Sequence, residues 1–282
     1  MQYLKLNNGV KMPILGFGTE KIQADKTRQA VIDAIDVGYR LIDTSQRCNN
    51  ECEIGDAIKQ SGIKREELFI TSKIWIDNYS HEKCIKSFKQ SLSNMDLSYM
   101  DLVLISHPVS DYYSAYSALE ELYEDGLIKS IGVSNFYPDR LTDICLFGCG
   151  VPPAVNQVEV NPFDGKFLAQ ANMEENSVQM QAYGLFINGL LSISRNRTLN
   201  EIADKHNVSP AQVIIRWLVE RSISVVTKTT DKQKMIENID VFDFSLDEDD
   251  MMYMMDLNRN EDKFFNHYYP MEIKELGDYY GL

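Results

Sequence analysis

The feature that most constrains the fold is a regular alternation of short apolar runs with longer amphipathic stretches. Between the runs, apolar residues recur at helical spacing, as at Val31, Ala34 and Ile35. Strands separated by helices run parallel, and eight such units close most simply into a barrel. The sequence therefore predicts an α/β fold, a (β/α)8 TIM barrel, whose strands lie at residues 14–15, 41–42, 69–71, 102–105, 128–133, 155–160, 178–182 and 223–226.

The start of the chain departs from this alternation. Asn8-Gly9 lies between two short apolar stretches, and this dipeptide favours a two-residue turn with positive φ, so we predict an N-terminal β-hairpin. Gly38, Gly62 and Gly126 follow three helical patterns, where a left-handed residue ends a helix. Ser209-Pro210 has the residue types that begin a helix.

No linker or low-complexity segment divides the 282 residues, so we expect a single domain, 1–282. Residues 263–282 form an aromatic, loop-like tail that we expect to fold over the barrel mouth. The cluster at 251–255 (MMYMM) predicts the inner face of a final helix, because Met fills irregular gaps in a core. A ligand surface is the alternative interpretation of that cluster.

The charge balance excludes several kinds of partner. With 28 Lys and Arg against 42 Asp and Glu, the net charge is −14, which opposes binding to nucleic acid or anionic lipid. No run of eighteen apolar residues occurs, and the start lacks a basic region followed by an apolar stretch. We expect a cytoplasmic protein, a monomer or weak oligomer, with no membrane partner.

Five cysteines are too few for a disulfide framework in a chain of this length, and the odd number leaves one unpaired. Cys48 and Cys52 are four residues apart, as are Cys145 and Cys149, but no His or second close pair completes a tetrahedral metal set. We predict free thiols and no metal. A metal- or thiol-dependent enzyme using Cys48 and Cys52 is the lesser alternative.

Polar residues follow the predicted strands, and in a (β/α)8 barrel the chemistry gathers at the carboxyl ends of the strands. Asp43 follows the second strand and Lys73 the third. A buried Asp and Lys on neighbouring strand ends indicate a site rather than solvated loops. The other polar residues at these ends are Ser106, His107, Ser134, Asn135, Asn156, Gln157, Tyr183, Lys228, Thr229 and Thr230.

Several segments of the chain carry a family likeness. They are GFGT at 16–19, GYRLIDT at 38–44, GIKREELFITSKIW at 62–75, LIKSIGVSNF at 127–136, VNQVEVNPF at 155–163 and ENIDVFDF at 237–244. In this order they resemble the aldo-keto reductases, which is far more specific than a lone glycine motif. The resemblance implies a (β/α)8 barrel that reduces a small carbonyl compound with NADPH.

The resemblance also implies cofactor contacts. Ser134, Asn135 and Gln157 correspond to positions that bind the nicotinamide carboxamide, and Tyr183 corresponds to the aromatic residue that stacks on the ring. Contacts to the phosphates and the adenine correspond to Lys228, Thr229, Lys234 and Asn238. The remaining cofactor positions correspond to Gly18, Thr19 and Asp43.

Two departures bear on the nucleotide. Lys234 stands where the family usually has Arg, and Lys lacks the planar fork that grips a 2′-phosphate, which weakens the preference for NADPH over NADH. NADPH is still favoured, because Lys228 and Lys234 supply two cations in an acidic protein. Gly184-Leu185-Phe186 replaces the usual Ser-Pro-Leu over the pyrophosphate.

The family reduces carbonyls with Asp, Tyr, Lys and His, of which this chain retains Asp43 and Lys73. Cys48 stands at the Tyr position and Ser106 at the His position, with His107 one residue later. A one-residue slip along a strand turns a side chain to the opposite face, so His107 is expected to face away from the mouth unless the strand end bulges. Losing the phenol should slow ordinary carbonyl reduction by about 10²–10⁴-fold.

Other groups are candidates for the missing donor. Lys73 itself can protonate the acceptor while Asp43 orients it, and Ser106 is a weak hydrogen-bond donor. Cys48 either fills the space of the lost ring or has a nucleophilic or redox role. Loop donors left open are Tyr79, Tyr112, Tyr113, His267, Tyr268 and Tyr269. Apolar and aromatic walls of the substrate pocket are expected from Phe17, Trp75 and His107.

Two functional hypotheses follow. The first is an NADPH-dependent oxidoreductase with an altered proton-donor site and slow turnover of ordinary aldehydes. The second is a catalytically silent NADPH-binding protein with a sensing or partner-binding role. The loss of two tetrad positions beside retained carboxamide and ring-stacking residues is the pattern that motivates the second hypothesis.

Overall fold

The computed structural model describes residues 2–148, 150–186, 193–260 and 265–280. Eight parallel strands close into a barrel, because β10 pairs with both β3 and β9, which confirms the predicted fold. The barrel strands are Leu15–Gly18 (β3), Leu41–Asp43 (β4), Phe69–Ile74 (β5), Leu102–Ile105 (β6), Ile131–Ser134 (β7), Val155–Glu159 (β8), Gln179–Tyr183 (β9) and Ser224–Thr227 (β10).

The predicted hairpin is confirmed ahead of the barrel. Tyr3–Lys5 (β1) pairs antiparallel with Lys11–Pro13 (β2), and Gly9 in the turn has a φ of 88°. Leu6 and Met12 pack with Leu41, Phe69, Leu102, Leu104, Ala154 and Val155. These last residues include inward-facing positions at the start of barrel strands, so the hairpin closes the amino-terminal end of the barrel and leaves the carboxyl-terminal end for the site.

Helices surround the barrel. They are Ala24–Val37 (α1), Glu51–Ser61 (α2), His81–Met95 (α3), Tyr112–Glu124 (α4), Pro138–Phe147 (α5), Phe167–Glu175 (α6), Arg197–His206 (α7), Pro210–Glu220 (α8), Lys232–Ile239 (α9), Glu248–Asp256 (α10) and Pro270–Tyr280 (α11). Gly38 and Gly62 are left-handed C-caps, as predicted. Ser209 forms a capping box with Gln212, and Pro210 is the first residue of α8.

Several strand boundaries differ from prediction, and two of them show that pairing, rather than apolar content, decides where a strand begins or ends. β5 continues to Ile74, since residues 71–74 pair with the whole of β6, so Lys73 lies within the strand. The run at 128–133 begins later, because Ile128 forms only an isolated bridge with Met100 and β7 starts at Ile131.

The structure corrects two expectations, one about the Met-rich cluster at 251–255 and one about the tail. Met254 is fully buried, but Met252, Tyr253 and Met255 are about half exposed, because α10 turns only one stripe towards the core. Nor is α10 the last helix, since α11 follows it. The tail is therefore not loop-like throughout; its residues 263–264 and 281–282 lie outside the described part.

In the described ranges, no helix is long and apolar enough to cross a membrane. The same ranges hold no group of three or more His, Cys, Asp or Glu side chains placed to bind a metal ion. Cys48, Cys52, Cys84 and Cys145 carry free thiols, whereas Cys149 lies outside the described residues.

Candidate active site

The carboxyl ends of the barrel strands open into a cavity of about 670 Å³. Most of the predicted site residues line it, from strands on all sides of the barrel. They are Gly18, Asp43, Cys48, Lys73, Trp75, Ser106, His107, Ser134, Asn135, Gln157, Tyr183, Lys228, Thr229, Lys234 and Asn238. The tertiary structure thus brings residues from distant parts of the chain into one pocket.

Phe17 and Thr19 do not line this cavity, and both expectations are corrected. Phe17 alternates with two inward-facing glycines of β3, so its side chain points outward, fully buried beside Tyr39 at a ring distance of 5.9 Å. Thr19 is fully buried, and its N–H and hydroxyl both donate to the carbonyl oxygen of Asp43, at 2.9 and 3.2 Å. Thr19 supports the end of β4 from behind the cavity.

An ion pair lies at the floor of the cavity. Lys73 Nζ donates to Asp43 Oδ1 at 2.6 Å and to the carbonyl oxygen of Thr44 at 3.1 Å. Gln157 Nε2 donates to the other carboxylate oxygen of Asp43 at 2.8 Å. The side chains of Lys73 and Asp43 are only 13% and 8% exposed, and these extra bonds offset the cost of burying the charges. Lys73 therefore presents a held cation to the cavity.

Cys48 lies in a short 3₁₀ turn, Gln46–Cys48, beside this pair. Its thiol is half-buried and 3.1 Å from the hydroxyl of Ser45. The Gln46 amide oxygen accepts hydrogen bonds from the Trp75 N–H and the Asn78 amide, both at 3.0 Å, which ties the turn to the end of β5. The turn thus holds a small thiol at the position that the resemblance matches to the family's phenol.

Ser106 is not the weak donor that the sequence predicted. Its hydroxyl donates to the carbonyl oxygen of Ile74 at 2.7 Å, so that proton is engaged within the barrel wall. Ser106 reaches the cavity, but only as a possible acceptor.

His107 reaches the cavity, and the expectation that it faces away from the mouth is wrong. Strand alternation no longer governs it, because β6 ends at Ile105. The hydroxyl of Tyr79 accepts from the His107 N–H at 2.8 Å and is 3.0 Å from its carbonyl oxygen, which fixes the backbone. The imidazole packs edge-on against Trp75, at 5.4 Å, and Phe265, at 4.5 Å.

The imidazole of His107 is neutral. Burial, and secondarily the positive charge of Arg47, lower its pKa from 6.5 to about 3. The amide nitrogen of Asn135 lies 3.4 Å from Nδ1, and its orientation is set by a 2.9 Å bond to the carbonyl oxygen of Ser106. The same amide nitrogen also donates to the Ser134 hydroxyl at 3.2 Å, so both of its hydrogens have acceptors other than Nδ1. The neutral imidazole of His107 carries one ring N–H.

The side of the cavity under β7, β8 and β9 carries a continuous polar network. The Tyr183 hydroxyl donates to Asn135 Oδ1 at 2.7 Å, and the Ser134 hydroxyl donates to the carbonyl oxygen of Gln157 at 2.8 Å. Asn135 has a φ of 61°, a left-handed conformation that Asn tolerates better than most residues. This network holds amide donors and acceptors next to an aromatic ring.

Comparison with known proteins decides the family. The family model described as Aldo/keto reductase family matches residues 14–259. This chain belongs to that family. The glyoxal reductase of Bacillus subtilis (strain 168) is 40% identical over 260 residues, covering 92% of this chain and 93% of that protein.

Solved structures agree with this assignment. An aldo-keto reductase enzyme from a Medee basin deep-sea metagenome library has a TM-score of 0.91 and 39% identity, covering 93% of this chain and 97% of that one. A Bombyx mori aldo-keto reductase in complex with NADP has a TM-score of 0.88 and 30% identity, covering 93% and 94%. The chain is thus an oxidoreductase of the aldo-keto reductase type.

The other donors left open by the sequence do not line the cavity of this aldo-keto reductase. Tyr79 is buried with its hydroxyl bonded to the backbone of His107, and burial raises its pKa. Tyr112 and Tyr113 donate to Asp143, and Tyr268 donates to Asp139. His267 lies 3.4 Å from the same Asp139, and Tyr269 is exposed.

Several residues that line the cavity of this aldo-keto reductase were not predicted from the sequence, among them Arg47 and Phe265. Arg47, next to Cys48, places its guanidinium 5.0 Å from the centre of the Trp75 ring. Phe265 comes from the tail, and the Tyr137 hydroxyl donates to its carbonyl oxygen at 2.9 Å. The position of Arg47 beside a tetrad position was an available signal, whereas no local pattern marks Phe265.

Proposed function

We propose that this aldo/keto reductase reduces a small carbonyl compound with NADPH through an altered proton-donor site. The observation that carries the proposal is the buried Asp43–Lys73 pair, which opens into the same cavity as the Ser134–Asn135–Gln157–Tyr183 network. When bound, the nicotinamide supplies a hydride to the carbonyl carbon and is oxidised. The residues of the chain then have to bind the cofactor, orient the substrate and protonate the carbonyl oxygen.

The donor set fits the cofactor. A carboxamide needs both donors and acceptors, and Ser134, Asn135 and Gln157 offer hydroxyl and amide groups beside the ring of Tyr183. At the other end, the exposed lysines Lys228 and Lys234 line the cavity and supply cations for phosphates. The Bombyx mori relative is, by the name of its structure, in complex with NADP.

The substrate oxygen meets donors on the β5 and β6 side. Lys73 supplies the proton as the carbonyl electron pair moves onto oxygen, and solvent restores the ammonium. The neutral His107 contributes a hydrogen bond from its single ring N–H but holds no second proton to release. Cys48 leaves room where the family has a ring. Reduction of ordinary aldehydes is therefore slow, and activated carbonyls are reduced best.

The rival function is an NADPH-binding protein without reductase activity, favoured by Cys48 and by the engaged proton of Ser106. In either case we propose a single domain, 1–282, acting in the cytoplasm as a monomer or weak oligomer. Its net charge of −14 supports a small-molecule partner rather than nucleic acid or membrane.

The first experiment is titration with NADPH and NADH, followed by nucleotide fluorescence. Lys234→Gln should weaken NADPH binding by about fivefold and leave NADH binding unchanged, since one exposed charge contact to the 2′-phosphate is lost. Lys232→Gln is the matched control, because Lys232 pairs with Asp33 and Asp36 on the surface. Failure to bind either nucleotide refutes the proposal.

The second step follows NADPH oxidation with a panel of aldehydes and α-dicarbonyl compounds. Measurable turnover that is lost in Lys73→Met supports the reductase. Nucleotide binding without turnover of any member of the panel supports the silent protein instead.

A further inference from the structure

A chain of hydrogen-bonded side chains crosses the inside of the barrel below the cavity. Gln181 on β9 is fully buried and pairs in register with Gln157 on β8 and with Ser224 on β10. Its amide oxygen accepts from Gln157 Nε2 at 2.7 Å, and its amide nitrogen donates to the Ser224 hydroxyl at 3.0 Å and to Met12 Sδ at 3.8 Å. These bonds offset the free energy that burying an amide in a barrel interior costs.

The direction of this chain is set at its upper end, by the Asp43 carboxylate. Gln157 Nε2 donates to Asp43 Oδ2 at 2.8 Å as well as to Gln181. A carboxylate paired with a lysine offers only acceptors, so the nitrogen of the Gln157 amide, and not its oxygen, must face Asp43. Both hydrogens of that nitrogen are then engaged. The amide oxygen is the atom that Gln157 has left to offer to the cavity, which it borders.

An acceptor at this position selects a ligand group that donates. The resemblance matches Gln157 to the nicotinamide carboxamide, whose NH2 group donates. Without the acceptor on Gln181, one N–H of Gln157 loses its partner inside the barrel, and the amide is free to turn that N–H towards the cavity. Gln181 is not among the described residues that line the cavity, so its effect on a ligand has to pass through Gln157.

We propose that Gln181 is a positioning residue for the nicotinamide, because it holds the Gln157 amide with its oxygen facing the carboxamide NH2 group. This inference rests on the proposed function, since it needs a nicotinamide nucleotide in the cavity. The same contact keeps the other N–H of Gln157 on Asp43, the carboxylate that pairs with Lys73. The orientation of the cofactor and the ion pair thus share one support inside the barrel.

The test compares the binding of NADP⁺ with that of its 3-acetylpyridine analogue, which keeps the carbonyl oxygen but has a methyl group in place of the amide nitrogen. Quenching of protein fluorescence measures both dissociation constants. The unmodified protein should bind NADP⁺ about fivefold more tightly than the analogue, the size of one neutral hydrogen bond. In Gln181→Met the two affinities should lie within about twofold of each other, because a thioether is only a weak acceptor.

Two further variants separate positioning from a general disturbance of the barrel. In Gln181→Glu, burial keeps the new carboxyl group protonated, so it both accepts from Gln157 and donates to Ser224 and should keep most of the preference for NADP⁺. Gln179→Met is the matched control. Gln179 lies on the same strand and the same face as Gln181, but it donates to the backbone carbonyl oxygen of Ser222 at 2.7 Å. Its loss should leave the preference unchanged.

Binding of 2′,5′-ADP, which lacks the nicotinamide, should be the same in Gln181→Met as in the unmodified protein, and it also shows that the variant is folded. If Gln181→Met does not fold, Ser224→Ala is the second variant, because it removes only an acceptor of Gln181 and should lower the preference by about twofold.

An unchanged preference in a folded variant overturns the positioning role and leaves the proposed function standing. An equal loss of affinity for NADP⁺, the analogue and 2′,5′-ADP does the same, because it marks a general effect on the fold. An unmodified protein that does not bind NADP⁺ at all refutes the proposed function, and the positioning role with it.

Discussion

The two sides of the cavity differ in how they depart from the family. Under β7–β9, Ser134, Asn135, Gln157 and Tyr183 are residue types that the resemblance implies for the cofactor site, and they bond to one another. On the β4–β6 side, the resemblance implies that Cys48 and Ser106 replace two tetrad members, and Arg47 and His107 line the cavity beside them. The comparison is consistent with our proposal that the nucleotide side is retained while the proton-donor side is altered.

The largest effect should come from substituting Lys73. Its partner Asp43 also accepts a hydrogen bond from Gln157, so the ion pair connects the two sides of the cavity. Lys73→Met leaves a buried carboxylate uncompensated, so the free energy of unfolding should fall by about 3–5 kcal/mol. Denaturant unfolding measures this. The double variant Asp43→Asn with Lys73→Met should recover much of the loss, and if it does not, the ion pair is not the cause.

Restoring the family donors tests how far the β4–β6 side has diverged. Cys48→Tyr with Ser106→His should raise kcat/KM for simple aldehydes by about 10²-fold, because a positioned phenol again supplies the proton. NADPH oxidation measures the rate. Cys52→Tyr, on the exposed surface of α2, is the control. A folded double variant that gains nothing would show that more than the donors has changed.

The buried His107 should make stability depend on pH. Its pKa is about 3 in the folded protein and about 6.5 when unfolded, so the unfolded state takes up the proton first as the pH falls. Stability is therefore complete above about pH 6.5 and lower by about 2 kcal/mol at about pH 5. Thermal or denaturant unfolding across this range, compared with His107→Gln, measures the effect. The variant should lose the dependence in this window; an unchanged dependence would assign it to other groups.

The smallest effect concerns the amide network. Asn135→Gly removes the acceptor of the Tyr183 hydroxyl but tolerates the left-handed backbone, so NADPH binding should weaken by about tenfold. Asn135→Ala should weaken binding similarly and cost about 1 kcal/mol more stability, because of strain at positive φ. Fluorescence titration measures the nucleotide affinity and denaturant unfolding measures the stability, so the two effects are separated. Unchanged affinity in both variants would mean that Asn135 does not contact the nucleotide.

What the sequence by itself determined is the part that local patterns encode. Apolar runs of strand length, helical spacing and turn residues predicted the barrel and hairpin, because period and capping depend only on neighbours along the chain. The alternation also predicted that Asp43 and Lys73 lie near the carboxyl ends of neighbouring strands, and in the structure Lys73 Nζ is 2.6 Å from Asp43 Oδ1. Family motifs then identified the residues that line the cavity under β7–β9.

Only the tertiary structure decided the rest, because it depends on which groups meet in space. Phe17 faces outward because two glycines of β3 point inward, and the Ser106 proton is engaged because β5 offers a carbonyl oxygen. His107 enters the cavity because its strand ends two residues earlier. The wall formed by Arg47, Trp75, His107 and Phe265 joins loops after three strands to the distant tail, and such long-range packing leaves no periodic signal in the sequence.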